Sequence, residues 1–415
     1  MQKIYNLGLW SWGSLSLPLS IVYPKVKHHI KNRLEYRPFS KFFKKPVWFH
    51  ALSVGEVLSV VPLVKAFKEQ HREIPLFFTA STITGHQIAT RCLKDIVDAI
   101  DYFPLDFPLV VNRYLRHLNP RLVVLTETDI WPNFLSIMQK KHIPTILISA
   151  RMSEYSYKRY CLIKGFFSQI INKLEFVGAQ REEDARRFLR LGLKKEKLKI
   201  LGSLKFDLPL PDIKEKSFLK KTFNIPSQQT IWIAGSTHKG EDEIIFRVHR
   251  QLLSVYPKLC LIIAPRHPQR FDEVTLLSKR MGFRTRRRTE KANGECEVIV
   301  LDTLGELARV YGVCDFAFVG GSFVPIGGHN PLEVVVWERP VIFGPYMFNF
   351  SEIAKMLIKN KAAIEVKNER MLFSVCRLFL EDKSLSEIMG KQGRDLVAEH
   401  QGVIKRYLDT IGKWV

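Results

Sequence analysis

The amino-acid sequence predicts two α/β domains in tandem, each a doubly wound parallel sheet with helices on both faces. Short apolar runs alternate with helical patterns along most of the chain, and this alternation is typical of parallel sheets. The alternation starts twice, on either side of a Leu-Pro-Leu-Pro break near residues 205–212. The length of 415 residues fits two to three domains of ordinary size.

Ten apolar runs predict the buried strands of these two domains. They are 47–53, 74–80, 122–126, 144–149 and 175–179 in the first domain, and 231–234, 259–264, 298–301, 316–319 and 341–343 in the second. Helical patterns separate them, such as 56–70 with a core stripe of Leu58, Val61, Leu63, Val64 and Phe67. We predict domains at 46–209 and 210–395, with a C-terminal helix in 396–415 that packs back on the first domain.

The N-terminus predicts a membrane anchor. No charged residue occurs from Ile4 to Pro24, which is long enough to span a bilayer, and no signal-peptide cleavage site follows. Residues 25–45 carry eight Lys or Arg and one acid, so the positive-inside rule places the remaining chain in the cytoplasm. We therefore expect a single-pass anchor at 1–24 and a basic segment at 25–45 that binds anionic lipids. The alternative is a basic amphipathic helix lying on the membrane.

The charge balance favours an anionic partner. Lys and Arg number 64 against 41 Asp and Glu, a formal charge of +23. Nucleic acid, anionic lipid and a phosphorylated substrate all fit this charge. Outside residues 25–45 the excess is spread, and no aromatic-basic nucleic-acid module occurs, so we expect no nucleic-acid partner. The six cysteines lie far apart, which favours a reducing compartment and a role as small core residues.

Several familiar signatures are missing, and their absence narrows the chemistry. No G-x-G-x-x-G occurs, which disfavours a nicotinamide or flavin oxidoreductase. The segment 235–240 has the glycine spacing of a Walker loop, but Glu241 and Asp242 stand where Lys and Ser or Thr are needed, which disfavours an NTPase. No D-x-D pair and no His/Cys set with zinc spacing is present, so we expect no bound metal.

The most informative segment is 319–333, which leaves a predicted strand, passes through two glycine pairs and opens a helix. Glycine lets backbone N–H groups close on a phosphate, and a helix N-terminus adds partial positive charge. Asn330 and Glu333 fall one helical turn apart, placed for ribose hydroxyls or a base edge. Two alternatives stay open: a glycine-rich turn of the kind common in doubly wound folds, and an Asn330–Glu333 capping box.

Two further strand ends in the second domain could contact a ligand. Arg266 follows Pro265 at the end of the strand 259–264, where its guanidinium could clamp a phosphate or a carboxylate. The alternative is that Arg266 is an ordinary surface arginine before a helix and binds no ligand. Gly305, Glu306 and Leu307 follow the strand 298–301 and could offer backbone groups to a nucleobase, although a lone tripeptide has little specificity.

Acidic residues follow two strands of the first domain. Glu56 begins a helix after the strand 47–53, where a carboxylate could take a proton from an attacking hydroxyl. The alternative is structural, because an acid in the first helical turn is favoured by the helix dipole. Glu127 and Asp129 lie at the end of another strand, on the same edge of the sheet. A purely stabilising role explains two acids at this place less well than it explains Glu56. Lys205 lies at the domain junction, where it could contact a negatively charged group. The alternative is a lysine that extends into solvent.

At these residues the sequence resembles the Kdo transferases, which attach 3-deoxy-D-manno-octulosonic acid (Kdo) to the lipid A precursor. The resemblance covers nearly the whole chain, and its most specific part is 320–333. The motifs that carry it are ALSVGE at 51–56, TETDIWPN at 126–133, GSLKFD at 202–207, AGSTH at 234–238, PRH at 265–267 and GGSFVPIGGHNPLE at 320–333.

The resemblance implies a GT-B fold, two Rossmann-like domains facing across a cleft, with an acceptor-binding first domain and a nucleotide-sugar-binding second domain. It implies an inverting displacement with CMP-Kdo as donor, lipid IVA as acceptor and no metal or other cofactor, at the cytoplasmic face of the inner membrane. Another membrane-associated GT-B enzyme with a UDP-sugar donor is the alternative.

The resemblance also assigns roles. It makes Glu56 the general base, and Glu127 and Lys205 the transition-state stabilisers. The residues implied for the CMP moiety lie in the second domain at three strand ends. They are Pro265, Arg266, Gly305, Glu306, Leu307, Gly327, Gly328, Asn330, Pro331, Leu332 and Glu333.

Overall fold

The computed structural model describes residues 5–6, 30–34, 45–223, 229–290 and 295–415. Apart from Tyr5 and Asn6, the predicted anchor at 1–24 lies outside the described residues, as does most of the basic segment at 25–45. In the described ranges, no helix combines the length and the apolar character that a membrane crossing needs.

The chain forms two compact units. The first contains Met1–Asp207 together with Gly402–Val415, and the second contains Leu208–Gln401. Each unit is built on one sheet of seven parallel strands. The two units therefore repeat one architecture, and each is described by itself.

The first sheet has the strand order β3-β2-β1-β4-β5-β6-β7, which reverses between β1 and β4. Its strands are β1 (Val47–Ala51), β2 (Leu76–Ala80), β3 (Ala99–Tyr102), β4 (Leu122–Thr126), β5 (Thr145–Ala150), β6 (Phe176–Ala179) and β7 (Leu198–Ile200). Its helices are α1 (Val54–Gln70), α2 (Ile83–Leu93), α3 (Pro108–Leu118), α4 (Pro132–Lys140), α5 (Glu154–Leu162), α6 (Lys164–Ile171) and α7 (Glu182–Arg190).

The second sheet has the order β10-β11-β9-β8-β12-β13-β14, which reverses between β8 and β12. Its strands are β8 (Thr230–Thr237), β9 (Leu259–Pro265), β10 (Thr285–Arg287), β11 (Val298–Val300), β12 (Phe316–Val319), β13 (Val341–Phe343) and β14 (Ala363–Glu365). The helices that follow are α8 (Lys216–Thr222), α9 (Asp242–Leu253), α10 (Phe271–Arg280), α11 (Leu307–Val310), α12 (Leu332–Val335), α13 (Ser351–Lys359), α14 (Glu369–Glu381), α15 (Lys383–Glu399) and α16 (Val403–Ile411).

The ten predicted strands are the interior strands of the two sheets. Four strands were not predicted, β3, β7, β10 and β14, and these are the edges of the sheets. Interior strands are covered on both faces by helices and read as apolar runs. Edge strands such as β10, with the sequence Thr-Arg-Arg, are partly exposed and carry no such run.

Helix α1 packs on the first sheet, but its predicted core stripe was wrong at one position. Leu58 is 47% exposed, whereas Val57 and Val60 are fully buried. The buried face of the helix contains Val57, Val60, Val64 and Phe67, and Leu58 lies outside it. The cysteines were predicted as core residues, which is wrong for the exposed Cys161.

Helix α16 belongs to the first unit although the whole second unit precedes it in the chain. Val403, Tyr407 and Ile411 join the core formed by β1 and α1. The Tyr407 hydroxyl contacts three backbone groups of this unit, at Ser149 N (2.8 Å), Gly178 O (2.9 Å) and Gly202 O (3.2 Å).

Candidate active site

Glu56 lies in the first turn of α1, directly after β1 at the point where the first sheet reverses its order. Its side chain turns back, so that Oε2 accepts a hydrogen bond from the Leu52 N–H at 2.7 Å. Ser53 Oγ lies 3.5 Å from Oε1. Glu56 is 9% exposed, and these two contacts use about two of the roughly four acceptor sites of its carboxylate.

Glu127 and Lys205 form an ion pair in the same unit. Glu127 directly follows β4, the strand beside β1, and its φ of 58° lies in the left-handed region that L-residues adopt at a cost of about 1–2 kcal/mol. Lys205 Nζ lies 3.0 Å from Glu127 Oε1. The strained backbone therefore holds an acidic side chain at the carboxyl edge of the sheet, next to a lysine.

Asp129 forms a second charged contact in this unit. Its Oδ2 lies 3.0 Å from Nε2 of His50, a fully buried residue of β1. Arg33 was predicted to bind lipid headgroups with the rest of the basic segment, but it is half-buried, donates to Phe103 O at 2.9 Å and lies over the Trp131 ring. Burial lowers the pKa of Arg33 to about 10, an effect that the charge of Asp129 opposes.

These groups act together on the carboxyl of Glu56. Burial, followed by the negative charges of Asp129 and Glu127, raises the pKa of Glu56 to about 9. The Leu52 N–H and the positive charge of Lys205 oppose this rise. The predicted base and both predicted stabilisers, Glu127 and Lys205, are thus brought together in one electrostatic group.

Asp106 was not identified from the sequence, yet it organises the segment beside this group. Its carboxylate accepts the N–H groups of Asn133 (3.0 Å) and Phe134 (2.7 Å) in the first turn of α4, and the Tyr5 hydroxyl donates to it at 2.8 Å. Burial raises the pKa of Asp106 to about 6. The sequence offered no signal, because this cap lies 27 residues before the helix it serves.

In the second unit, Glu241 occupies the place that corresponds to Glu56. It immediately precedes α9, after β8, and is fully buried. Its Oε2 accepts the N–H groups of Gly321 (2.7 Å) and His238 (2.9 Å), and its Oε1 accepts those of Ser322 (3.0 Å) and Phe323 (2.9 Å). The expected backbone cradle for phosphate at the first glycine pair is therefore wrong, because the protein's own carboxylate fills it.

The second glycine pair is explained by packing. A side chain at Gly327 would come within 2.3 Å of Asn349 Nδ2, and one at Gly328 within 2.2 Å of Met347 Sδ. Both glycines also have positive φ, at 108° and 73°. The Gly328 N–H donates to Gly321 O at 2.8 Å, so it too is used inside the protein.

The predicted residues Arg266, Asn330 and Glu333 do meet. Burial raises the pKa of Glu333, and the positive charge of Arg266 and a side-chain hydrogen bond from Asn330 oppose the rise. Asn330 Oδ1 also accepts the Leu332 N–H at 3.1 Å, while Pro331 and Leu332 are buried. The capping-box alternative is wrong, because the N-cap of α12 is Pro331, without a side-chain cap, and Asn330 accepts the N–H two residues on. Helix α12 is a single turn whose dipole is small.

The remaining predicted residues follow neighbouring strands. Pro265 ends β9, and the exposed Arg266 donates its N–H to Thr237 O at 3.0 Å. Gly305, Glu306 and Leu307 follow β11, which pairs with β9, and Glu306 accepts a hydrogen bond from Thr303. The exposed Gly305 has a φ of 86°.

Sequence reasoning missed the histidines of this edge. His238 and His329 lie with their Nε2 atoms 2.9 Å apart, and His267 packs edge-on against His238. The pairing of β8 with β9 brings His267 to His238, and the pairing of β8 with β12 brings His329 to the same place. Neither these histidines nor any other group of three or more His, Cys, Asp or Glu in the part of the chain that the structure describes is arranged to hold a metal ion.

Comparison with known proteins identifies relatives across the whole chain. A family model described as 3-deoxy-D-manno-octulosonic-acid transferase (kdotransferase) matches residues 28–208. The chain is 37% identical to the 3-deoxy-D-manno-octulosonic acid transferase of Haemophilus influenzae over 401 residues, which covers 95% of this chain and 93% of that protein.

Solved structures of low sequence identity share the fold. MurG from Acinetobacter baumannii matches with a TM-score of 0.57 at 14% identity, over 89% of this chain and 100% of that one. The UDP-GlcNAc 2-epimerase of Neisseria meningitidis bound to UDP-GlcNAc matches with a TM-score of 0.59 at 13% identity, over 89% and 100%. The two parallel-sheet units thus resemble GT-B glycosyltransferases, and the chain belongs to the 3-deoxy-D-manno-octulosonic acid transferases.

Proposed function

We propose that this Kdo transferase uses CMP-Kdo as donor and the glucosamine disaccharide of the lipid A precursor, lipid IVA, as acceptor, adding one or more Kdo residues with inversion. The observation that carries the proposal is the Glu56 site: a buried carboxyl with unused acceptor capacity, raised pKa and a neighbouring Glu127–Lys205 ion pair. We place the enzyme at the cytoplasmic face of the inner membrane, held by the N-terminal anchor and anionic lipids.

The first unit supplies the base. Glu56 takes the proton of the acceptor hydroxyl as that oxygen bonds to the anomeric carbon of Kdo, and the bond from this carbon to the phosphate oxygen breaks. With a pKa of about 9, Glu56 is mostly protonated at neutral pH, and its ionised form is a correspondingly strong base. The positive charge of Lys205 favours the ionised form of Glu56. Because only this form accepts the proton, Lys205 and its partner Glu127 influence the rate.

The second unit binds the leaving group. The electron pair of the broken bond goes to the phosphate of CMP, which carries one phosphorus and less charge than a diphosphate. Arg266 is exposed at the edge of the sheet, where a guanidinium can bind such a group. We propose that this positive charge suffices and that no metal or other cofactor is required.

The direct test incubates the full-length chain with CMP-Kdo and lipid IVA and measures product mass. We expect a mass increase by whole Kdo residues, unchanged by EDTA, and the increment gives the number added. Loss of activity in EDTA that Mg²⁺ restores would contradict the metal-free mechanism. No product from CMP-Kdo would contradict the proposed substrates.

A UDP-sugar donor is the second candidate, since a protein of the same fold is bound to UDP-GlcNAc. Competition between CMP and UDP for the full-length chain separates the two. We expect CMP to bind more tightly, and tighter binding of UDP would favour the second candidate.

A further inference from the structure

A pair of stacked histidines lies at the carboxyl edge of the second sheet, where the strand order reverses between β8 and β12. His238 directly follows β8, and His329 lies between β12 and α12. Their Nε2 atoms are 2.9 Å apart, and their rings are nearly parallel with centroids 5.2 Å apart. Ligands of doubly wound folds bind at such reversal points, so the pair lies where a ligand is expected.

Three backbone N–H groups of the glycine-rich turn are already engaged. The N–H groups of Gly321, Ser322 and Phe323 all donate to the buried carboxylate of Glu241. In many nucleotide-binding folds the corresponding groups of the glycine-rich turn hold phosphate. A phosphate bound here cannot use these three N–H groups, so the nearby side chains become candidate donors.

The loop leaves room for the two rings. A Cβ at Gly321 would lie 3.2 Å from Cδ2 of His329 and 3.4 Å from Cδ2 of His238. Gly321 also has a φ of 68°, which an L side chain rarely adopts. Both the close approach of the two rings and the positive φ therefore favour glycine at position 321. His238 and His329 are both half-exposed.

Positive charge surrounds the pair. Burial, followed by His267, Arg270 and Arg266, lowers the pKa of His238 to about 4. Burial, followed by Arg266, His238 and His267, lowers the pKa of His329 to about 3. Without an anion the pair is neutral at physiological pH, with one Nε2 hydrogen shared between the two rings.

Negative charge near the pair is already engaged. The Glu241 carboxylate accepts the backbone N–H of His238, and Asp242 is paired with Arg270. Glu333 and Glu306 are further carboxyls of this edge: burial raises the pKa of Glu333, and Glu306 accepts a hydrogen bond from Thr303. An arriving anion is therefore the group that can balance the excess of positive charge.

We propose that His238, His329 and Arg266 form an anion site that binds the phosphate of the donor nucleotide. This inference rests on the proposed CMP-sugar donor. The phosphate offsets the surrounding positive charge, so the histidine pair can take up one proton and donate a charge-assisted hydrogen bond to a phosphate oxygen. Imidazole thus replaces the backbone N–H groups that Glu241 occupies.

The test compares a nucleotide with its nucleoside. Calorimetry measures the affinities of CMP and cytidine for the full-length chain and for the variants His329→Gln and His238→Gln. We expect CMP affinity to fall about tenfold to a hundredfold in both variants, the range for a hydrogen bond to a charged group. Cytidine lacks the phosphate, so its affinity stays within about twofold. His400→Gln, a matched change at the end of α15, alters neither affinity.

Wild-type CMP affinity in the two variants would overturn the inference and leave the proposed function standing. Weaker binding of CMP-Kdo with unchanged CMP binding would also overturn it, because the pair would then contact the sugar carboxylate. If the wild-type chain prefers UMP to CMP, the proposed donor is wrong, and UMP against uridine decides the histidine role. A thermal unfolding midpoint is measured for each variant, and His→Asn replaces any Gln variant that does not fold.

Discussion

Glu56 in the first unit and Glu241 in the second occupy corresponding places: each follows a central strand where its sheet reverses order, at the start of a helix. Glu241 is fully buried and accepts four backbone N–H groups, two on each oxygen. Glu56 accepts one backbone N–H at 2.7 Å and lies near two other carboxylates. The same residue type at the same place therefore holds a loop together in one unit, whereas in the other it is the group that we propose as the base.

The difference lies in how much of each carboxylate the protein already uses. Burial raises the pKa of Glu241, but its four backbone hydrogen bonds oppose this rise because they favour the carboxylate. A buried carboxylate with unused lone pairs and like-charged neighbours binds a proton more strongly, which suits a base. Acceptor saturation thus separates a structural glutamate from a reactive one.

The largest expected effect comes from removing the reactive carboxylate. Glu56→Gln should reduce the transfer rate about 10²-fold to 10⁴-fold, the usual contribution of a general base, while CMP affinity stays unchanged. Initial rates with saturating substrates and CMP calorimetry check both parts. Full activity in this variant would remove Glu56 from the mechanism.

The same variant should be more stable. The folded-state pKa of Glu56 is raised to about 9 from 4.5, so the unfolded chain releases its proton first and stability falls as pH rises between these values. Glu56→Gln removes this loss, and we expect the free energy of unfolding at pH 7 to rise by about 1–3 kcal/mol. Denaturation at pH 5 and pH 8 should give a larger gain at pH 8. An equal or smaller gain at pH 8 would contradict the raised pKa.

Glu241→Gln should have the opposite effect on stability. An amide offers one acceptor oxygen in place of two, so two of the four N–H donors lose their partner, at a cost of about 2–4 kcal/mol. Thermal unfolding should show a lowered midpoint. Lys239→Gln, an exposed change two residues away, serves as the control and should leave the midpoint unchanged. A stable Glu241→Gln variant would break the contrast between the two glutamates.

The neighbours of Glu56 should shift its titration in opposite directions. Asp129 raises the pKa of Glu56 and Lys205 lowers it. The acidic limb of the pH profile of kcat/KM should therefore move to lower pH in Asp129→Asn and to higher pH in Lys205→Met. Shifts of the same sign in both variants would show that this limb reports another group.

The smallest effect is expected at the second contact of Glu56. Ser53 Oγ lies 3.5 Å from the carboxylate, too far for a strong hydrogen bond. Ser53→Ala should change the rate less than about threefold and stability by less than about 0.5 kcal/mol. A large loss would mean that Glu56, like Glu241, depends on being held by its neighbours.

The sequence alone was sufficient for the interior of each sheet but not for its edges. Apolar runs mark strands that are buried on both faces, such as β4 and β12, whereas β7 and β14 are too short and too polar to stand out. Glu56, Glu127 and Lys205 could be selected because each follows an identifiable strand or junction. Glu241 was visible only as a mismatch to a Walker loop, since three of its four partners lie about 80 residues away.

The two long-range histidines show why the rest could not be derived. His238 and His329 are separated by 91 positions, and only the sheet order brings their rings into contact. Likewise, the glycine pairs in 320–328 suggested a phosphate cradle, yet Glu241 and the side chains of Met347 and Asn349 account for their geometry. A glycine pattern indicates the backbone conformation of a turn, but it does not show which group the turn binds.

The return of α16 to the first unit has a consequence for biosynthesis. Residues 208–401 form an uninterrupted unit that can fold as soon as they leave the ribosome. The first unit, although translated earlier, must wait for Tyr407, whose hydroxyl joins backbone groups of three separate segments. Nascent chains should therefore fold the second unit before the first, which contains Glu56, our proposed base.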